Sequence, residues 1–164
     1  MSASHPPSFN HCSAAVLRMA ARRVSQFYDS CLAPQGLKVS QYSVLSTAAR
    51  HRDRAATVNE LAEELGMDRS TLGHNLRPLE RDGLVVLEAD KDDKRVRRVR
   101  VTDPGRAKRQ ACRELWAVAQ GRFEEAFGKE RSAELAALLG FIARDLDLGV
   151  APSRSSEESS DHVR

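Results

Sequence analysis

The sequence has little of what marks several common classes of protein. Only three cysteines occur in 164 residues, with no Cys-x-x-Cys pair, which argues against a disulfide framework and a zinc knuckle. No run of about 18 apolar residues is present, so we expect no membrane-spanning helix. Arg18 interrupts the apolar stretch near the start, so we expect no signal peptide, and a cytoplasmic location fits best. Aromatic residues make up only 5%, which favours packed helices with a core of Leu, Val and Ala.

Signatures of enzymes are missing as well. The sequence contains no P-loop, no Gly-x-Gly-x-x-Gly, no His-Glu-x-x-His and no Gly-x-Ser-x-Gly motif. Its five histidines are scattered, and none is paired with a cysteine or carboxylate at the spacing of a metal site. We therefore expect neither an enzyme nor a bound metal or cofactor.

Positive charge is concentrated in one short segment. The formal net charge is only +3, but residues 94–100 (KRVRRVR) hold five positive charges in seven positions. Such a run, with a pI near 9.0, is typical of proteins that bind a polyanion, most often nucleic acid. Taken alone, it is equally compatible with a solvated basic strand.

Apolar residues at three- and four-residue spacing predict six helices, and an alternating pattern predicts two strands. A capping box from Thr57 to Glu60 begins the third helix, while Ser40 and Asp68 are the expected caps of the second and fourth. Residues 1–9 and 149–164 are polar and rich in Ser or Pro, and we expect them to be disordered. The expected helices are 10–31, 41–51, 57–65, 69–81, 103–127 and 130–148, and the expected strands are 84–88 and 96–102.

Two helices joined by a short turn and followed by a hairpin form a winged helix-turn-helix. The second helix of such a domain enters the major groove and reads base edges, while the hairpin follows the DNA backbone and reaches the minor groove. At 100° per residue, Leu72, Leu76 and Leu79 share one face of the fourth helix. Polar residues, including His74 and Arg77, lie on the opposite face. The fourth helix is therefore predicted to be the recognition helix.

Several motifs within residues 57–106 carry a resemblance to a known family. They are LAEELGMDRSTL, NLRPLERDGLV, the Asp-x-Arg of Asp93 and Arg95, and a V-x-V-T-x-x-G pattern from Val99 to Gly105. Together they resemble the DNA-binding core of the MarR family of bacterial transcription regulators. A weaker similarity covers Tyr28-Asp29 and residues 32–45.

The resemblance implies a homodimer. Helices at 10–32 and 104–148 would form the dimer interface, and residues 40–103 would form the DNA-binding lobe within a fold spanning 10–148. The apolar surface of the outer helices also exceeds what a lobe of about 50 residues needs, which supports a dimer independently. The expected fold class is mainly α with a small β-hairpin wing: a winged helix-turn-helix domain plus N- and C-terminal dimerisation helices.

The expected function is that of a dimeric, sequence-specific transcription regulator, acting as a repressor that a small-molecule ligand releases from DNA. Its partners would be an inverted-repeat operator in double-stranded DNA and a phenolic or anionic effector. By resemblance, such an effector would bind in a cleft lined by the first, second and fifth helices.

Eleven side chains are expected at the DNA interface. By resemblance, Arg95 enters the minor groove and Asp93 braces it. We expect Lys94, Arg97 and Arg98 to contact phosphates, which fixes the register on DNA without reading sequence. The residues expected to contact DNA from the fourth helix are Arg69, Ser70, Thr71, His74, Asn75 and Arg77.

One alternative of another class is a winged helix used only for contact with other proteins. Modules of that kind tend to lose the positive charge of the recognition face and the wing, whereas Arg77 and Arg95 are present here.

A second alternative is thiol-based sensing of peroxides. Peroxide sensors of the same family use a cysteine in the first helix, and some pair it with a second cysteine after the wing. Cys12 and Cys112 stand in the corresponding helices. Alignment on Tyr28 and Tyr42, which correspond to tyrosines of those sensors, leaves Cys12 two residues early. Val39 replaces a further tyrosine whose hydroxyl would stabilise the thiolate.

Overall fold

The computed structural model describes residues 12–147 and Gly149. The order of its helices and strands confirms the predicted mainly helical fold with a hairpin wing. The predicted disordered segment 1–9 lies outside the described residues, as does the predicted tail apart from Gly149. The elements are α1 (Ser13–Leu32), α2 (Val39–Ala48), α3 (Val58–Glu64), α4 (Arg69–Arg81), β1 (Val85–Ala89), β2 (Arg97–Val101), α5 (Asp103–Phe127) and α6 (Lys129–Arg144), and a 3-10 turn follows α1 at Ala33–Gln35.

The chain divides into two compact units, residues 1–126 and residues 127–164. In the first unit, α2 lies at the centre and packs against α1, α3, α4 and β2. The second unit contains α6, which begins after Gly128 in a left-handed conformation (φ 97°). None of the helices within the described residues is both long and apolar enough to cross a membrane.

The core of the first unit is built from leucine and valine, as the low aromatic content predicted. The three leucines of the α4 stripe are 0–3% exposed, and each buried leucine contributes about 1.5–3 kcal/mol relative to an exposed one. The largest fully buried side chains are Leu32, Leu45, Leu61, Leu72, Leu79, Val44, Val85, Val99 and Cys112.

The predicted cap of α2 is wrong. The helix begins at Val39 rather than Gln41, and Ser40 lies inside its first turn. Asp29 of α1 accepts a hydrogen bond from the Val39 backbone N–H (2.7 Å), and the Gln41 side chain accepts one from the Lys38 N–H (2.9 Å). These two acceptors satisfy free N–H groups of the first turn, so a serine cap is not needed.

The last helix is shorter than the apolar pattern predicted. It ends at Arg144, and the backbone N–H groups of Asp145 and Leu146 both donate to the carbonyl of Phe141. Asp145 and Asp147 are unfavourable at the negative end of a helix dipole, which gives a physical reason for the early end.

The hairpin forms with its two strands in antiparallel register, from Val85 opposite Val101 to Ala89 opposite Arg97. A third segment, which the sequence did not predict, extends the sheet. The Val99 N–H donates to the Ala56 carbonyl (2.8 Å), and Thr57 forms a bridge with Arg98. The chain that leads into α3 therefore anchors the second strand of the wing.

The junction between the wing and α5 is held by Thr102. Its hydroxyl donates to the Gly83 carbonyl (2.6 Å) and accepts the Gly105 N–H (3.0 Å). Gly105 packs directly against Leu84, the residue before β1. A Cβ atom added at Gly105 would lie 2.0 Å from the Leu84 carbonyl oxygen. This contact explains the glycine at the end of the V-x-V-T-x-x-G pattern.

We expect Gly105→Ala to destabilise the protein by about 1–3 kcal/mol or more, because α5 must move away from the sheet to admit a methyl group. Urea unfolding followed by circular dichroism measures this. Gly121→Ala on the same helix is the matched control, since nothing lies within 4 Å of a Cβ there. Alanine should stabilise that position by roughly 0.5–1 kcal/mol. Equal stability of the two variants would contradict the close contact.

Candidate nucleic-acid interface

The turn between α3 and α4 sets the recognition helix in place. The capping box of α3 is confirmed: the Glu60 carboxylate accepts the Thr57 N–H (2.6 Å), and the Thr57 hydroxyl accepts the Glu60 N–H (3.1 Å). Gly66 follows α3 with φ 60°, and the Met67 N–H returns to the Ala62 carbonyl (2.8 Å). This left-handed residue ends α3 and turns the chain into α4.

Asp68 caps α4, as predicted. Its carboxylate accepts the Thr71 N–H (2.8 Å) and the Thr71 hydroxyl (2.6 Å). The hydrogen bonds from Thr71 hold the pKa of Asp68 below its usual value. The carboxylate is therefore ionised at neutral pH and satisfies free donors at the start of the helix.

The outward face of α4 carries four predicted DNA-contacting residues with free side chains. None of the four has a hydrogen-bond or ion-pair partner for its side chain within the described part of the chain, and all are exposed. Two others are engaged locally, because the Thr71 hydroxyl binds Asp68 and the Asn75 amide donates to the Thr71 carbonyl (2.9 Å). The four free residues are Arg69, Ser70, His74 and Arg77.

The tip of the wing brings Asp93 and Arg95 together. Asp93 accepts the Arg95 backbone N–H (2.9 Å) and a hydrogen bond from the Arg95 Nε (3.3 Å). These hydrogen bonds, the backbone one foremost, lower the pKa of Asp93. The Arg95 side chain is nevertheless 92% exposed. The carboxylate therefore orients an arginine that otherwise projects into solvent.

Asp90 is the central acceptor of the wing turn. It accepts the backbone N–H groups of Asp92 (2.9 Å) and Asp93 (3.3 Å) and pairs with the Arg98 guanidinium. These bonds, led by that from Asp92, lower its pKa from 3.8 to about 2. The turn is thus organised around an ionised carboxylate whose side chain is only 12% exposed.

Arg98, predicted to contact a phosphate, is engaged within the protein. Its side chain is 14% exposed and is held by Asp90, by the Ala55 carbonyl (2.7 Å) and by Glu60 (3.9 Å). A guanidinium enclosed in this way has little free surface for a phosphate. Arg98 instead ties the wing to α3 and to the segment before it, because Asp90 belongs to the wing, Glu60 to α3 and Ala55 to the preceding segment.

Lys94 and Arg97 remain available for phosphate contact. Both side chains are exposed, and neither has an ion-pair or hydrogen-bond partner among the residues the structure describes. Arg100, also in the basic run, pairs with Glu88 on the adjacent strand (Nε to Oε1 2.9 Å). The run of five positive charges is therefore divided between free and paired side chains.

The two cysteines of the peroxide-sensing alternative lie in different environments. Cys12 is exposed just before α1, whereas Cys112 is fully buried in the core. Burial raises the pKa of the Cys112 thiol, which opposes formation of a reactive thiolate. The alternative stays a prediction. Among the described residues, no cluster of three or more His, Cys, Asp or Glu could hold a metal ion.

We expect Asp90→Asn to loosen the wing, since the amide keeps the backbone acceptor but loses the charge that holds Arg98. Amide hydrogen exchange of residues 85–101 should become faster. In the wild type, the lowered pKa of Asp90 means that its ionised carboxylate stabilises the fold fully above about pH 4. This stabilisation is lost as the pH falls through about 2.

Asp92→Asn is the matched control, because its exposed carboxylate accepts no hydrogen bond within the described residues. Exchange as slow in Asp90→Asn as in Asp92→Asn would show that the ion pair does not hold the wing.

Comparison with known proteins identifies the family. The sequence profile of the MarR family matches residues 35–96. The Mycobacterium tuberculosis transcriptional regulator MosR is 34% identical, and its crystal structure superposes with a TM-score of 0.71 over 85% of this chain and 100% of that one. MosR has also been solved in complex with DNA. No curated protein sequence matches the chain.

The repressor CouR is a further structural neighbour. A structure of CouR bound to a 23-mer DNA duplex is 29% identical, with a TM-score of 0.72 over 82% of this chain and 94% of that one. CouR from Rhodococcus jostii RHA1, bound to p-coumaroyl-CoA, is 25% identical with a TM-score of 0.68 over 87% and 99% of the two chains. The chain therefore belongs to the MarR family of DNA-binding transcription regulators.

Proposed function

We propose that the protein is a dimeric repressor that binds an inverted-repeat operator and is released from it by a small-molecule effector. The observation that carries this proposal is the pairing of two exposed features on one lobe. The α4 face presents four free polar side chains, and the wing presents Arg95, 92% exposed and oriented by Asp93. Such a lobe fits a major groove and the adjacent minor groove together.

Sequence reading is assigned to α4 and affinity mainly to the wing. An arginine such as Arg77 can bind guanine through two hydrogen bonds, and His74 and Ser70 can reach base edges or phosphates. Lys94 and Arg97 can neutralise phosphates, which strengthens binding to every sequence. Arg95 suits a narrow, A·T-rich minor groove, whose negative potential attracts arginine. The DNA complexes of MosR and CouR support DNA binding as the function of this lobe.

A second copy of the chain is proposed to cover the apolar side chains that α1 and α5 leave exposed. Met19 on α1 is 62% exposed and Val118 on α5 is 61% exposed. On α6, considered by itself, Leu138 and Phe141 are 62% and 50% exposed. Burying such surface against an identical chain is the usual way for a small protein to remove it from water.

The effector is proposed to be a phenolic or anionic small molecule. The related regulator CouR has been solved bound to p-coumaroyl-CoA, which supports a small-molecule ligand for this chain. The proposed setting is the cytoplasm, where the protein would meet both its operator and its effector.

Selection from random DNA duplexes should yield an inverted repeat with half-site centres about 10 base pairs apart, because the recognition helices of a symmetric dimer lie one helical turn apart. Sedimentation velocity should give a dimer for the full chain. Val118→Asp should shift it towards monomer and weaken operator binding. An asymmetric single half-site, or a stable wild-type monomer, would overturn the dimeric assignment. No enrichment of any sequence would favour a module for protein contact.

Substitutions on α4 and on the wing should have different effects on DNA binding. Arg77→Ala should lose about 1–3 kcal/mol on the selected operator and relax the preference at one base position. Lys94→Ala should weaken binding to all sequences alike and reduce the salt slope by about one. Fluorescence anisotropy across a salt series separates the two effects.

Arg95→Ala should be the most damaging change on the wing. Arg113→Ala is the matched control, since it removes the same charge from an exposed position on α5 outside both surfaces. Operator affinity of Arg95→Ala equal to that of Arg113→Ala would show that the wing does not enter the minor groove.

A further inference from the structure

A cavity of about 930 Å³ lies beside the wing, within the DNA-binding lobe. Its walls are the end of α2 and the segment after it, the two strands of the wing and the first turns of α5. No residue of α1 lines it, which distinguishes it from the effector cleft expected by family resemblance. Its volume is in the range of sites for small molecules. Six arginines line it: Arg52, Arg54, Arg98, Arg100, Arg106 and Arg109.

Two of these arginines lack a compensating charge. Arg52 and Arg109 have no ion-pair or side-chain hydrogen-bond partner among the residues the structure describes. The other four are neutralised by carboxylates: Arg54 by Glu60, Arg98 by Asp90, Arg100 by Glu88 and Arg106 by Asp103.

Arg109 is the most informative of the six. Its Nε is buried and has no hydrogen-bond partner in the described part of the chain. A buried donor on a charged group without an acceptor is unfavourable, and native structures rarely leave one. Arg106 lies one helical turn earlier and faces the same way. Asp53 and Asp92 also line the cavity, so the wall of α5 is the favourable place for an anionic group.

We propose that this cavity binds a small molecule through its carboxylate or phosphate group, with Arg109 as the anchoring residue and Arg52 as a second contact. The planar guanidinium fork matches both kinds of anion. Concave walls and a half-buried arginine are typical of a site for a small molecule. The binding site is independent of the proposed function, but its consequence, control of the wing, rests on that function.

Control of the wing follows from Arg100, which also lines the cavity and pairs with Glu88 across the two strands of the hairpin. The Arg100 side chain is 54% exposed, so an anion in the cavity competes with Glu88 for its guanidinium group. Loss of this cross-strand pair loosens the hairpin that carries Arg95. Occupation of the cavity therefore weakens operator binding.

The test uses the full chain without DNA, with sodium pyrophosphate and sodium citrate as separate probes at constant ionic strength. Isothermal titration calorimetry should show saturable binding of at least one probe to the wild type, and the better one identifies phosphate or carboxylate as the preferred group. Arg109→Met should lower its affinity by about tenfold or more, because a charge-assisted hydrogen bond is lost. Arg113→Met, with the same substitution at an exposed position outside the cavity, should bind like wild type.

Arg52→Gln provides a second variant, with an expected loss of about threefold or more, in case Arg109→Met does not fold as judged by circular dichroism. Absence of binding by both probes, or equal binding to the wild type and the folded cavity variants, would overturn the site.

Operator binding separates this inference from the proposed function. Wild-type binding in the absence of anion tests the function alone, and a decrease on adding the bound probe at constant ionic strength supports control of the wing. Operator binding that the bound probe leaves unchanged would overturn that control. If Arg109→Met weakens operator binding without anion as much as Lys94→Ala does, the cavity is a DNA contact and the small-molecule site is wrong.

Discussion

The burial of three leucines beneath α4 is the constraint on which the candidate interface depends. Leu72, Leu76 and Leu79 are almost completely removed from water, and any rotation of α4 would expose them at a cost of several kcal/mol, roughly 1.5–3 kcal/mol each. Because the helix cannot rotate, the residues on its opposite side are held outward. The orientation of the polar face of α4 is thus set by the buried leucines on the other side of the helix, not by contacts that the polar side chains make themselves.

Arginine serves three purposes within the same seven residues of the wing. Arg95 is exposed and oriented by Asp93, Arg98 is enclosed by Asp90 and the segment before α3, and Arg100 is paired across the hairpin with Glu88. Alternation along the strand separates Arg97 and Arg98 onto different sides. Within the basic run, Arg98 therefore anchors the wing and Arg100 forms a cross-strand pair. The remaining basic side chains, Lys94, Arg95 and Arg97, are exposed.

The ionised carboxylates of the wing turn link its structure to its charge. Asp90 accepts two backbone N–H groups and Asp93 accepts one, and these bonds favour the charged form of each carboxylate. Each carboxylate then holds an arginine, one inward and one outward. Asp90 therefore holds an enclosed arginine and Asp93 an exposed one, although the two carboxylates lie three residues apart. The positively charged tip depends on both carboxylates, since a flexible turn would not keep Arg95 in one orientation.

Local patterns in the sequence were sufficient for most of the fold. The leucine stripe of α4, the Thr57–Glu60 capping box and the Asp68 cap depend on residues no more than about two helical turns apart, and each is confirmed. What the local patterns missed depended on partners distant in sequence. Asp29 lies ten residues before the N–H that it caps, so nothing near α2 in the sequence marks it as the acceptor in place of Ser40. Arg98 is a predicted phosphate contact, and nothing near it in the sequence shows that the Ala55 carbonyl encloses it. The sequence by itself determined that α4 has a polar face opposite its leucine stripe, since amphipathic periodicity is local. Only the tertiary structure decided which arginines remain free and which line a cavity beside the wing, because a charge is neutralised by whatever carboxylate the fold brings within about 4 Å.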